Sequence, residues 1–374
     1  MRRISSRIKR PGFFLAFLLA MGAPGYPLAR EAGWLAGTRD DVVVAEATQA
    51  EHYHTLEEKK APSAVTKLAE RFSVSGLIEG EWYSDRNDAA GNDSEAVLAT
   101  VQLGLNAKIT PQLGGSILLL WEENNTEPME VDEAYLRFKS EDGFGVKAGR
   151  FYLPFGVFTS HFVSDPFTLG LGETRKEAVV VSYRPGSSGW PSWTAGWSPE
   201  LSAGAFDGNT GNGGANIVAT ATITPRDGLS FAVFYISDMA ETNAGLMTSP
   251  YKGKGVHGRG ASFTFTEGGW DLSAEYIGAG ERFSSLDLDA DGNGKGDWPQ
   301  AYNVELAYRP SEHIEFAARY EGSSEFFAFP ESQWGLAVSY HLFDGVTLKM
   351  EHLRGAYYVG GDRDLTSAQI ALAF

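Results

Sequence analysis

The chain has 374 residues, with 31 Lys and Arg against 48 Asp and Glu, and its net charge of −17 argues against nucleic acid as a partner. It has no cysteine, which excludes disulfides, thiolate metal sites and a cysteine nucleophile. Aromatic residues at 13% and 44 glycines suit many short strands joined by tight turns better than helices.

At the N-terminus, Arg2, Arg3, Arg7, Lys9 and Arg10 precede an apolar stretch over 13–21 and the small residues Gly22, Ala23 and Gly25. Charge, then apolar run, then small residues is the order of a secretory signal removed on export. Cleavage after Gly25 places Ala23 at −3, whereas cleavage after Ala29 would place Pro27 there, so residues 1–25 are the expected signal. Residues 26–71 read as a polar periplasmic leader with short helical segments, interrupted at Pro62 and recapped by Ser63. Past the first thirty residues no apolar run approaches the roughly 18 residues a membrane helix needs, so a membrane-spanning chain must use a barrel.

From 72 onward, period-two alternation and turn signals mark strands near 72–84, 95–109, 114–123, 131–139, 144–152, 173–183, 193–206 and 214–224. The remaining strands fall near 229–238, 256–266, 270–280, 301–309, 313–321, 332–342, 346–354 and 365–374. About sixteen strands is an even number, as an antiparallel transmembrane β-barrel requires. Tight turns such as Thr110-Pro111, Asp142-Gly143, Asp227-Gly228 and Asp344-Gly345 alternate with longer segments over 153–172, 239–255 and 281–300. That rhythm predicts short periplasmic turns and long external loops.

Single strands agree. Val346, Leu348 and Met350 share one face and Thr347, Lys349 and Glu351 the other; Ile314, Phe316 and Tyr320 oppose Glu315, Arg319 and Glu321. The apolar faces are expected to meet lipid and the charged faces a watery lumen. Trp82, Tyr83, Trp121, Tyr183, Tyr302, Tyr308, Tyr340 and Tyr358 fall near strand ends, where aromatic rings settle at bilayer interfaces. Small residues Gly104, Ala107, Ser367 and Ala371 read as lumen-facing. The last strand ends on Phe374, similar to the terminal signal that the barrel-assembly machinery of the outer membrane reads.

Six stretches then carry a resemblance to a known family: SVSGLIE at 73–79, VLATVQLGL at 97–105, LLLWEE at 118–123, VDEA at 131–134, AGRFYLPFG at 148–156 and SDPFTLGLGET at 164–174. They resemble the LbtU-type siderophore porins over the first third of the barrel. The resemblance implies an outer-membrane β-barrel of a Gram-negative cell that admits ferric siderophore.

Two segments hold candidate functional residues. The loop over 153–172 contains Phe155, Phe158, His161, Phe162, Asp165 and Phe167, unusually apolar for an exposed connection, and is followed by Glu173, Arg175 and Glu177. Folded inward, it would form a constriction whose aromatics contact solute while Asp165, Glu173, Arg175 and Glu177 line the eyelet; alternatively, the rings anchor the loop to the wall. In 287–297, Asp287, Asp289, Asp291, Gly292, Asn293 and Asp297 follow the first half of a calcium loop, with oxygen ligands at positions 1, 3 and 5 and Gly at 6. Position 12 is Trp298 rather than Glu, so the alternatives are a weak structural calcium site and a solvated Asp/Gly loop.

No G-x-S-x-G, H-E-x-x-H, Walker or dinucleotide motif occurs, and no cofactor is required, so an enzyme is not expected. Two functions remain open: a porin for ferric siderophore by passive or facilitated diffusion, and a general, weakly cation-preferring diffusion porin for small solutes. Outer-membrane lipid is an expected neighbour, and a homo-oligomer a further possible partner.

Overall fold

The computed structural model describes residues 71–88, 91–123, 128–185, 197–208, 215–247, 255–358 and 360–374. The expected signal and nearly all of the leader lie outside the described residues. The strands are β1 (Phe72–Asn87), β2 (Asp93–Lys108), β3 (Leu113–Glu122), β4 (Glu130–Lys139), β5 (Phe144–Tyr152), β6 (Arg175–Tyr183), β7 (Ser198–Asp207) and β8 (Ala215–Arg226). They continue as β9 (Leu229–Ile236), β10 (Gly258–Glu267), β11 (Trp270–Ala279), β12 (Gln300–Ser311), β13 (Ile314–Ser324), β14 (Ser332–Phe343), β15 (Val346–Ala356) and β16 (Asp362–Ala373). One short helix, α1 (Phe167–Gly172), interrupts the connection between β5 and β6.

Each strand pairs antiparallel with its sequence neighbours, and β1 pairs with β16 to close the sheet. The seam runs from Leu77 opposite Ala373 to Asn87 opposite Arg363, and Gly76 and Phe374 exchange backbone bonds of 2.8 and 3.0 Å. Closure leaves no edge, which is the condition for a sheet to stand in hydrocarbon. Thus the chain is an all-β, sixteen-strand transmembrane barrel, as its alternation predicts.

The alternation has a direct physical reading. On β14, Trp334, Leu336, Val338 and Tyr340 are exposed on the outer wall, while Gln333 and Ser339 are buried inside. Trp334 and Tyr340 bracket the apolar belt as interface aromatics do. Trp82 likewise points outward, whereas its neighbour Tyr83 faces the lumen, since adjacent strand residues cannot share a face. Tight turns rely on glycine: Gly228 and Gly345 hold φ of 74° and 75°, and a Cβ on either would meet a carbonyl oxygen of the adjoining strand.

Two expectations need correction. The strict alternation of turn lengths fails between β6 and β7, whose described parts end at Tyr183 and begin at Ser198 on the short-turn end; the expected start of β7 near 193 lies outside the described residues. At the opposite end, 88–92 and 357–361 are brief. Gly104 faces inward, but Ala107, three residues on in the same regular stretch and paired with the exposed Phe72, faces lipid, because residues an odd number apart cannot share a face.

Candidate functional site

The connection 153–174 does not project from the barrel; it folds into the lumen. Phe155, Phe162, Val163, Phe167, Leu169 and Leu171 are all buried. Phe155, Phe167 and Leu171 pack with wall residues Val180, Phe234 and Ile277, forming an apolar core inside the barrel. Phe162 packs instead with Ala337 and Leu353 on the far side. Burial of this much apolar surface is the driving force that draws the loop inward.

A loop inside a barrel must still satisfy its backbone amides. Here lumen glutamates do so. Val157 N donates to Glu275 Oε1 at 2.6 Å, His161 N to Glu305 Oε2 at 2.8 Å, Val163 N to Glu351 Oε2 at 2.7 Å and Phe167 N to Glu321 Oε2 at 2.8 Å. The last of these serves the first turn of α1, whose N-cap Pro166 offers no side-chain acceptor. Thr168 Oγ1 adds a bond to Glu275 Oε2 at 2.7 Å.

Arg319 on β13 is the hub. Its Nε donates to Glu305 Oε1 at 2.8 Å, its Nη2 to the Ser164 carbonyl at 2.9 Å and its Nη1 to Ser164 Oγ at 3.2 Å. It also bonds Ser160 Oγ, and its guanidinium lies 4.3 Å from the Phe162 ring centroid. His161 Nδ1 meets Glu315 Oε1 at 2.9 Å and its Nε2 lies 3.5 Å from Asp271. Burial alone would lower the His161 pKa, but bonds to Asp271 and Glu315 outweigh it and raise it to about 9, so the ring is a cation at neutral pH.

Gly156 holds φ of +116°, and a Cβ there would fall on the Phe158 ring, whose own residue takes a left-handed φ of 54°. That strain sits where the chain turns inward, at the strand-to-loop corner.

The structure brings Phe155, Phe158, His161, Phe162, Asp165 and Phe167 together in one inward loop, but most of the rings are spent on packing, and only Phe158 is half-buried. Asp165 contributes its carbonyl oxygen to Arg319 Nη1 at 3.4 Å. Glu173 stands at the loop base, where its carboxylate accepts from Asn243 Nδ2 at 3.1 Å. Arg175 is not an eyelet residue in this arrangement: it pairs with Glu130 at 2.8 Å and with Asp132 at the rim, and it shares the outward phase of β6 with Glu177 and the exposed Val179. The anchors Glu275, Glu305 and Glu351 were not marked as loop partners by sequence; the only local sign was a carboxylate on the lumen face of each strand.

With the loop seated against the wall from β6 to β15, the lumen side of β1–β5 presents the half-buried polar side chains Glu81, Gln102, Asn106, Glu133, Arg137 and Lys147. Lys147 Nζ lies 3.9 Å from Glu133 and 3.8 Å from the Tyr135 ring centroid.

In the late loop, carboxylate oxygens of Asp289, Asp291 and Asp297 lie within 4.8 Å of one another. Asp287 does not join them, and Asn293 turns its amide to donate to Asp291 Oδ2 at 2.6 Å. Burial raises the pKa of Asp297, against the bond it accepts from Ala290 N at 2.7 Å.

Among known proteins, residues 43–357 match a family model described as Gram-negative porin. The chain is 23% identical over 263 residues to a UPF0422 protein of Legionella pneumophila strain Lens, covering 63% of this chain and 48% of that protein. A counterpart from strain Philadelphia 1 is 22% identical with the same coverage, so the chain spans about half the length of the curated relatives it matches. Salmonella typhi OmpF, solved in complex with daunomycin, superimposes with a TM-score of 0.58 at 14% identity, over 81% of this chain and 97% of that one. Pseudomonas putida OprB gives 0.57 at 14% identity, over 83% and 96%. At such identities these structures establish the fold.

Proposed function

The chain belongs to the Gram-negative porin family and resides in the outer membrane, and from that premise we propose that its lumen passes small polar solutes by diffusion, with no catalytic step. The supporting observation is the asymmetry of the lumen. The inward loop packs against the wall from β6 to β15, while half-buried polar side chains face the space beside β1–β5. Such a mixed lining of Glu81 and Glu133 with Arg137 and Lys147 suits hydrated solutes, and the acidic excess of the whole chain favours a mild preference for cations. The test is planar-bilayer recording of the refolded protein, with reversal potentials in a KCl gradient. Steady conductance with modest cation preference supports the reading; a folded barrel with no conductance overturns it.

A ferric siderophore as cargo is the second reading, supported by the resemblance of the stretches between 73 and 174 to siderophore porins. Block of conductance by an external ferric siderophore, relieved in Phe158→Ala, would favour it; indifference to several ferric siderophores would leave general diffusion. The closed seam at Phe374 is consistent with handling by the barrel-assembly machinery. A homo-oligomer is checked by cross-linking in membranes.

A further inference from the structure

The loop anchors account for the lumen carboxylates of β11–β15, and on β1 Asp85 pairs with Arg363 and Glu81 accepts from Gln369, while Glu79 belongs to neither arrangement. Glu79 on β1 is the register partner of Thr100 on β2, and Thr100 is the partner of Glu122 on β3, so the three occupy one row of adjacent lumen positions. Their exposures are 1%, 1% and 2%. Glu79 Oε2 and Thr100 Oγ1 are both buried, and apart from each other neither has a hydrogen-bond partner. Two neighbouring orphan oxygens in native protein call for a partner.

The row holds no basic side chain: beyond Glu79 it continues through Ala371 on β16 to Thr347 on β15. The adjacent row differs. There Glu81 accepts from Gln369 Nε2 at 2.7 Å, and Gln369 is in register with Lys349. The β2 bulge is what sets the arrangement, because Ala99 and Thr100 are consecutive and both buried, which places the hydroxyl between the two carboxylates. Glu79 and Glu122 stand two strand spacings apart, about 10 Å at the backbone, a gap within the reach of two glutamate side chains on one face.

We propose that Glu79, Thr100 and Glu122 form a binding site for a hard divalent cation, calcium or magnesium, inside the barrel wall. The donors are all oxygen, two of them carboxylate, which is the chemistry these ions select, and lumen water completes the shell. The site is independent of which solute the lumen passes, and it is distinct from the Asp289 loop.

Isothermal titration of the refolded full chain in detergent, with CaCl2 and separately MgCl2, tests it. Binding should weaken at least tenfold in Glu79→Gln and Glu122→Gln, weaken less in Thr100→Val, and persist in Asp291→Asn, which removes a carboxylate of the external loop. Folding of each variant is checked by heat-modifiable gel mobility, and the milder Thr100→Val keeps the test decisive if a glutamate variant fails to fold. Retention of wild-type affinity in folded Glu79→Gln, loss confined to Asp291→Asn, or no binding by the folded wild type overturns the proposal.

Discussion

Replacing Arg319 tests whether the inward loop is held by the wall rather than merely resting on it. The guanidinium is fully buried, pairs with Glu305 and reaches Ser160 and Ser164 on the loop. Arg319→Met removes every one of these donors and leaves Glu305 and Glu321 buried without their cation. Breaking one partner out of a buried pair costs about 3–5 kcal/mol. If about 3 kcal/mol falls on loop docking, the undocked population rises by roughly two orders of magnitude, at 1.36 kcal/mol per decade. Arg319→Lys keeps the charge but not the fork, so it should fall between wild type and Arg319→Met. The assay is single-channel recording, read as flicker and sub-state occupancy, with far-UV ellipticity confirming that the ladder of sixteen strands is intact. Wild-type recordings from a folded Arg319→Met barrel would refute the anchoring argument.

Other consequences follow from single residues. His161 has its folded pKa raised to about 9, so its pairing with Glu315 and Asp271 contributes fully below about 6.5 and is lost as pH rises through 9; channel flicker should increase between pH 7 and pH 10, and His161→Asn should abolish that dependence. Leu336, outward and 59% exposed between Trp334 and Tyr340, stands near the bilayer midplane, and Leu336→Arg should cost about 2–4 kcal/mol in urea unfolding from vesicles. The convergence of Asp289, Asp291 and Asp297 leads us to expect that millimolar calcium slows proteolysis within 280–299 and that Asp291→Asn cancels the protection. Equal cleavage rates with calcium and with chelator would count against it.

The strands were legible because lipid and lumen impose opposite demands on alternate residues. Phe316 and Tyr320 are outward while Glu315, Arg319 and Glu321 are inward, as their spacing predicts. What escaped was whatever breaks the period or joins distant positions. A single bulge near Ala99 reverses the faces of the residues beyond it, and nothing in the local composition announces it. Inward folding of 153–172 was suggested by its phenylalanines, yet the partners were out of reach of sequence reasoning: Val157 meets Glu275 118 residues later and Val163 meets Glu351 188 residues later. Arg175 was misread because a charge next to an apolar loop suggests a lining residue, whereas its ion pairs tie it to the rim.

The anchoring glutamates also alter how the acidity of the chain should be read. A net charge of −17 and lumen carboxylates on β1, β3, β4, β11, β12, β13 and β15 suggest strong cation selectivity. But Glu275, Glu305, Glu321 and Glu351 accept bonds from the loop backbone, and Glu315 is matched by His161 and Arg309. A carboxylate that is buried and bonded to backbone amides or paired with a cation contributes little field to a hydrated ion passing on the other side of the loop. Beside β1–β5, among the described residues, half-buried Glu81 and Glu133 stand against Arg137 and Lys147, with Glu133 and Lys147 3.9 Å apart, a near balance. Selectivity is therefore set by how many lumen charges the loop consumes, and undocking the loop should make the channel both noisier and more cation-selective at once.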